Sequence, residues 1–475
     1  MLEILEQHIN QRGNCAALVD FVEGPISWAR LGQMVNTAIN QIAQFDLSRP
    51  LIHDAPNDLN DVVIALAIAS LGGIEAPLDS RLGPAERQRR VDILGGQVFE
   101  LPPIESVPAE VSPTESESSG LRPSGDSIYA SESRHYTHDV TFSSNGRTIL
   151  WTSGTTSLPT GVVQRHTAWL ANAAAKLAAV PQMPTDVRLT MLPLSHAYAR
   201  TCDLGTWLLS GCTLAVTLGT KGLMTYGPSV NPTLINTVPS VARQLLHEDL
   251  DAVGLSRLRL LGVGGAALAP GDFDQWSKRR VTVIQGYGLT ETGPVICSAT
   301  PNNATAGLVG DFVEGWQTQI RSGELYVRGS HVMEGYYDAS ETTAKKIDTD
   351  GWLRTGDLVK RDEPSGQLRI LGRVDDVIVL GNGIKVHPTS VEREVESLPG
   401  IDHALLLMRD QLELWIDGDE ATLPDIEKLM QSLLSFCDVS IGFFEEPLSL
   451  AANELTSKLT VRRHQVIANR FGHST

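Results

Sequence analysis

The chain has 475 residues, with 38 Lys and Arg against 56 Asp and Glu, a formal net charge of −18. Phosphate backbones select basic surfaces, so this balance argues against a nucleic-acid scaffold while leaving room for a nucleotide held at a local site. At 42% hydrophobic residues the composition is that of an ordinary globular chain, neither collagenous nor disordered, and the length suggests roughly two to four domains. Cys15, Cys202, Cys212, Cys297 and Cys437 show no C-x-x-C and no metal spacing, and read as thiols of a reducing compartment. The start Met1-Leu-Glu-Ile-Leu-Glu lacks the basic and apolar regions of a signal peptide. The most apolar stretch, Val62 to Ala69, is too short to cross a bilayer. The expectation is a soluble cytoplasmic protein with no membrane span and no nucleic-acid partner.

In chain order, Trp28 to Ala43 carries apolar residues at helical spacing, and Val62 to Leu71 reads as a buried helix. Pro77-Leu78-Asp79 breaks the pattern and Pro84 can open the next helix. Residues 102 to 126, rich in Ser, Pro, Glu and Gly, read as a solvated loop. Ile149-Leu150-Trp151 reads as a strand, followed by a hydroxyl-rich loop and a helix over Ala168 to Ala179. Strand-like runs recur at Arg188–Leu192, Thr213–Thr217, Leu258–Val263 and Val281–Ile284, the alternation of an α/β layered fold. After Gly323 shorter strands (Glu324–Val327, Leu368–Leu371) suggest a small β-rich subdomain, and beyond Gly372 about a hundred residues carry separate β and α signals. The fold class expected is α/β: a large N-terminal domain (1–373) of stacked α/β layers with a β-rich subdomain, and a small mobile α+β C-terminal domain (374–475).

The loop Thr152-Ser153-Gly154-Thr155-Thr156-Ser157-Leu158-Pro159-Thr160-Gly161 combines hydroxyls with glycines. Glycine lets backbone N–H groups approach a phosphate, hydroxyls add donors, and the next helix would add the positive end of its dipole. No Gly-Lys-Ser/Thr follows, so this is not a Walker loop; taken alone it reads equally as a solvated Ser/Thr turn.

Further motifs follow: Met191-Leu-Pro-Leu-Ser-His196, Gly264-Gly265-Ala266, Gln285-Gly-Tyr-Gly-Leu-Thr-Glu-Thr-Gly293, Gly323-Glu-Leu-Tyr-Val-Arg-Gly329, Gly351-Trp-Leu-Arg-Thr-Gly-Asp-Leu358 and Gly372-Arg-Val-Asp-Asp-Val-Ile378. In this order, over nearly the whole chain, the set resembles the adenylate-forming superfamily of acyl-CoA synthetases, peptide-synthetase adenylation domains and luciferases.

The resemblance implies attack of a carboxylate on the α-phosphate of ATP, a meeting of two anions that needs donors and positive charge. It implies that Thr152, Ser153, Gly154, Thr155, Thr156 and Thr290 donate to phosphate, and that Glu291 binds Mg²⁺. It puts adenine between Tyr287 and the turn Gly264, Gly265, Ala266, the ribose hydroxyls on Asp357, and a further donor in Arg373. Outside the ordered set, Tyr287 would read as core, Glu291 as a surface carboxylate and Asp357 as a turn residue. His196, Tyr198, Gly264 and Gly288 fall where the family lines its acyl pocket; His196 could equally be structural. Asp375 falls at the hinge about which the family's small domain swings. Gly381-Asn382-Gly383 falls on the acceptor loop, and also has the form of a hairpin turn.

Two departures stand out. The loop lysine of the family is Thr160 here, which offers one neutral hydrogen bond in place of a charge. The C-terminal catalytic lysine falls in Glu454-Leu-Thr-Ser-Lys-Leu-Thr-Val-Arg-Arg463, where either Lys458 or Thr460 can hold the position. Tyr198 stands where amino-acid-activating members carry Asp, which argues against an α-amino acid. Arg200 could face a second acidic group on the substrate or lie on the surface. The leading expectation is ATP-dependent activation of a carboxylic acid followed by transfer to a thiol, coenzyme A or a carrier protein. Capture of the acyl-AMP by an amine, and a catalytically impaired adenylate-binding homologue, are the alternatives.

Overall fold

Alternation of short β-branched runs with amphipathic stretches builds two large sheets with helices layered between them. The computed structural model describes residues 1–101, 145–152, 160–381, 383–456 and 460–472. The nine-stranded sheet runs Asp311–Phe312, Val295–Ser298, Thr282–Gly288, Leu260–Val263, Leu234–Thr237, Val187–Thr190, Thr213–Val216, Ala16–Asp20, Gly24–Ser27. Its interior pairings from Thr282–Gly288 to Ala16–Asp20 are parallel and its outer ones antiparallel. A six-stranded sheet runs Gly335–Tyr336, Gly161–Arg165, Arg147–Trp151, Ile74–Asp79, Pro50–Ala55, Gln97–Val98.

Helices Trp28–Ile42, Leu59–Leu71, His166–Ala179 and Thr206–Ser210 share one core with Leu18, Leu51 and Leu214 from both sheets. Trp28 and Trp207, both fully buried, stack there with centroids 5.2 Å apart. Leu59–Leu71 is buried nearly all round, as an apolar helix between two layers must be. Asp58 caps its start reciprocally with Asp61, and Gly72, at φ 71°, ends it in the left-handed region.

The β-rich subdomain is a four-stranded antiparallel sheet, Trp316–Arg321, Glu324–Gly329, Leu353–Arg361, Leu368–Arg373. After it, strands Ile401–Met408, Leu412–Gly418 and Val439–Phe443 pack with helices Pro388–Glu396 and Leu423–Leu433 around a core that draws only on residues from Ile378 onward. Among the described residues no helix is long and apolar enough to cross a membrane.

The expected elements are present with edges moved by a few residues, and two differences matter. The strand expected at Val281–Ile284 spans Thr282–Gly288 and so carries the Gly-Tyr-Gly motif within the sheet. The loop after Trp151 leads into another strand, Gly161–Arg165, pairing back on Arg147–Trp151, and not into a helix. Helix His166–Ala179 starts beyond that strand, five residues and about 16 Å along it. Its dipole is therefore not at the loop, which corrects the expectation of a helix-assisted phosphate cradle. The Ser/Pro-rich segment 102–126 lies outside the described residues.

Candidate active site

Parallel strands Leu260–Val263 and Thr282–Gly288 lie side by side, and their carboxyl ends open onto a cavity. In open parallel sheets this is where ligands bind. The lining brings together Gly264, Gly265, Tyr287, Gly288 and Thr290 with Tyr198. Two glycines are demanded by close approach. A Cβ on Gly264 would sit 2.8 Å from the Tyr198 ring, and one on Gly288 would sit 1.5 Å from the Pro294 carbonyl oxygen.

Beside Tyr287 the subdomain contributes Asp357 and Arg373, paired across strands Leu353–Arg361 and Leu368–Arg373. Tyr287 Oη donates to Asp357 Oδ2 at 2.6 Å, and Arg373 Nη1 donates to Asp357 Oδ1 at 3.0 Å. Burial pushes the Asp357 carboxyl up, against the pull of Arg373 and Tyr287. Each of its oxygens has one donor, leaving lone pairs for two more hydroxyls. Glu291 sits in the turn Thr290–Thr292, 9% exposed, and accepts from Tyr336 Oη at 2.7 Å. Desolvation, with the Glu291 charge adding to it, pushes the Tyr336 phenol well up, so it stays a donor.

His196 does not line the cavity: its Nε2 lies 3.1 Å from Asp79 Oδ2. Burial works to raise the Asp79 carboxyl, but bonds from Arg81 and His196 hold it well below the usual carboxylate range. Thr152 stands at the loop's entrance, its N–H donating to Thr160 O at 3.2 Å. Ser153, Gly154, Thr155, Thr156 and Lys458 lie outside the described residues. Thr460 lies beside Thr456, its hydroxyl 2.6 Å from that of Thr456. Asp375 is exposed, in the turn between Leu368–Arg373 and Ile378–Val379.

Arg200 corrects the sequence reading on both counts. It is 2% exposed and faces neither solvent nor the cavity; Nη1 donates to Glu75 Oε1 at 2.9 Å and Nη2 to Oε2. Two lysines were missed. Lys346 Nζ donates to Thr355 O at 3.2 Å; burial lowers its ammonium pKa, while Glu291 and Asp357 pull the other way. Lys176 lines the cavity itself. Its signal is in the sequence: Trp169, Ala173 and Lys176 fall at i, i+4 and i+7, one face of helix His166–Ala179.

The profile of the AMP-binding enzymes matches residues 5–337. Among curated proteins, 4-coumarate–CoA ligase 3 of Oryza sativa subsp. japonica is 29% identical over 328 residues, 60% of this chain and 58% of that protein. A 3-[(3aS,4S,7aS)-7a-methyl-1,5-dioxo-octahydro-1H-inden-4-yl]propanoyl:CoA ligase of Rhodococcus jostii (strain RHA1) is 28% identical over 313 residues, 64% of this chain and 60% of that protein. The chain thus spans less than two thirds of the length of these relatives. Among solved structures, an anthranilate CoA ligase in complex with anthranoyl-AMP superposes with a TM-score of 0.79 at 18% identity, covering 98% of this chain and 96% of that one. The o-succinylbenzoate coenzyme A synthetase of Bacillus subtilis, in complex with ATP and magnesium ion, gives 0.77 at 20% identity, covering 97% and 98%. At those identities the likeness is one of fold. With the matched profile spanning more than half of the chain and the motif residues converging on one cavity, the protein belongs to the AMP-binding enzyme family.

Proposed function

We propose that the chain activates a carboxylic acid with ATP through an acyl-AMP and passes the acyl group to a thiol, coenzyme A or a carrier protein. The observation that carries the reading is the bonding of Tyr287, Asp357 and Arg373 to one another beside a cavity lined by Tyr287 and Thr290, next to Glu291. The naming of curated relatives as CoA ligases supports the thiol acceptor. The acid's carboxylate oxygen attacks the α-phosphorus, the bond to the β-phosphate's bridging oxygen breaks, and pyrophosphate leaves. In the second step the thiol loses its proton to solvent, its sulfur bonds to the acyl carbon, and the acyl–oxygen bond breaks so that AMP leaves with the bonding pair.

Asp357 would accept from both ribose hydroxyls through its remaining lone pairs, and Tyr287 and the glycines Gly264 and Gly265 would flank adenine. Thr290 and Arg373 would donate to phosphate, with Thr152 and the loop after it. Among the described residues no group of three or more His, Cys, Asp or Glu could cage a metal. Glu291, with one oxygen on Tyr336, fits a Mg²⁺ held by one carboxylate and phosphate oxygens. When bound, Mg²⁺ neutralises charge developing on the leaving pyrophosphate. Tyr198 and Gly288 line the acid side, and His196, two residues before Tyr198, is held by Asp79.

The missing loop lysine is offset in part by Lys346, which stands among Glu291, Asp357 and Arg373. Lys346→Met is expected to raise the KM for ATP about tenfold with little change in melting temperature, measured by steady-state pyrophosphate release. Lys458 is the better candidate for the catalytic lysine, because the Thr460 hydroxyl is already committed to Thr456. Lys458→Ala should therefore slow adenylation at least 100-fold while Thr460→Ala slows it only a few-fold; the opposite ranking in acid-dependent pyrophosphate exchange transfers the role to Thr460. Rotation of the small domain about Asp375 would then bring the second face, with the turn at Gly381 and Gly383, to the thiol.

The function is tested by pyrophosphate release across a panel of carboxylic acids, with and without coenzyme A. Release with some acid, followed by thioester formation, is the expected result. Release that requires an added amine would make the protein an amide ligase, and no release with any acid would leave a nucleotide-binding homologue without catalysis.

A further inference from the structure

The acid side of the cavity contains a cation with no counter-charge. Lys176 sits on helix His166–Ala179, and its Nζ donates to Ser298 Oγ at 2.7 Å. Ser298 is itself 1% exposed and donates its own hydrogen bond to Ala299 O at 2.8 Å. An ammonium has three protons to donate, so two of them remain for the cavity. Among the described residues no carboxylate pairs with Lys176. Burial pulls its pKa down to about 8, with Cys202 acting against it and Arg188 in the same direction. The Cys202 thiol beside it is pushed up to about 12 by burial and offers no anion near neutral pH.

Lys176 also lines a second, adjoining cavity, on whose walls stand Gln182, Arg188 and Asn236. Those groups are occupied. Arg188 Nη1 is bonded to Asp203 Oδ1 at 2.5 Å, and Asn236 Nδ2 to the same oxygen at 2.7 Å. Only Ile284 and Lys176 are common to the linings of both cavities. Lys176 therefore stands where the two cavities adjoin, and neither Asp357 nor Arg373 lines either of them. A buried unpaired charge costs several kcal/mol, and a site holding one gains most from a ligand that supplies the acceptor.

We infer that Lys176 is a specificity-determining residue that selects acids carrying an oxygen acceptor, a second carboxylate or a carbonyl, at the end opposite the activated carboxyl. The inference rests on the acid-activating reading above. Gly264 and Tyr198 close the side of the cavity, so the acyl chain runs between them and Cys202 toward the ammonium. A plain hydrocarbon tail of the same length would strip water from the ammonium and return nothing.

The test uses the full chain and three non-hydrolysable acyl-sulfamoyl adenosines of matched length, ending in a carboxylate, a methyl ketone or a branched alkyl group. Affinities are read by calorimetry, without turnover. The oxygen-bearing analogues are expected to bind about 10- to 100-fold more tightly than the alkyl one. Lys176→Met should collapse that ratio to about twofold, and Lys176→Gln should keep the ketone preference while losing the carboxylate one. Equal or better binding of the alkyl analogue to the unaltered protein overturns the assignment, and that comparison needs no variant to fold. A preference that survives in Lys176→Met also overturns it. If none of the three binds, the acid-activating reading fails and the assignment fails with it; if all three bind alike, only the assignment fails.

Discussion

Glu291→Gln is expected to lower Mg²⁺-dependent pyrophosphate release by at least 100-fold, with the melting temperature nearly unchanged. The substitution isolates charge from structure. A glutamine oxygen still accepts the Tyr336 hydroxyl that Glu291 Oε1 accepts at 2.7 Å, so the contact between the turn Thr290–Thr292 and strand Gly335–Tyr336 survives. What is lost is the anionic oxygen a hard cation selects. Raising Mg²⁺ should recover part of the rate, since weakened binding is offset by mass action. Turnover that is unchanged at all Mg²⁺ concentrations would remove Glu291 from the metal.

The largest effect on stability is expected at Arg200. Arg200→Met should cost about 3–5 kcal/mol, read as a lower urea midpoint at unchanged slope, because Glu75 would remain buried without its partner. Glu75 is fully buried; besides Arg200 it meets His53 Nε2 at 3.3 Å and the Thr148 hydroxyl at 3.4 Å. Burial alone would raise its carboxyl, but Arg200 foremost, with His53, brings it from 4.5 to about 2. With the folded-state value below the unfolded one, this contribution is full above pH 4.5 and is lost as pH falls toward 2. The deficit of Arg200→Met should accordingly shrink in acid. The double variant Glu75→Gln/Arg200→Met should recover part of the loss, since the orphaned charge is then gone.

These two residues show how unevenly a sequence discloses a site. Glu291 is flanked by Thr290 and follows Gly-Tyr-Gly, a local pattern that names it without any three-dimensional knowledge. Arg200 is flanked by small and polar residues, and its partner lies 125 positions away on strand Ile74–Asp79, so local pattern suggests a surface group. The layered α/β fold was legible because alternating periodicities reflect burial directly. The length of strand Thr282–Gly288 was not, because Gly286 and Gly288 have the composition of a turn while close packing on Cys297 and Pro294 makes them strand residues. The strand after the phosphate-loop motif was missed because Gly161-Val-Val-Gln-Arg165 is short and runs straight into helix His166–Ala179. Lys176 and Lys346 were passed over because lysine in a helix ordinarily faces solvent.

The segment Arg200–Gly205 is wound as a π-helix, between the α-helical turns Ala197–Ala199 and Thr206–Ser210. All six of its residues are buried, and they point to different places: Arg200 to Glu75, Cys202 to the cavity, Asp203 to Arg188. A π turn is an α turn with one residue too many. Deleting a single residue here would restore the ordinary winding and leave Thr206–Ser210 in phase, but the shortened turn could no longer send three side chains in these three directions. Trp207, whose indole donates to Ala17 O at 2.8 Å, would keep its place, while one of the buried partnerships of Arg200 with Glu75 or Asp203 with Arg188 would be lost. Length is thus as tightly constrained as composition along this stretch. In a library of random indels, single deletions between Ala199 and Thr206 should be among the rarest survivors, even beside tolerated side-chain replacements.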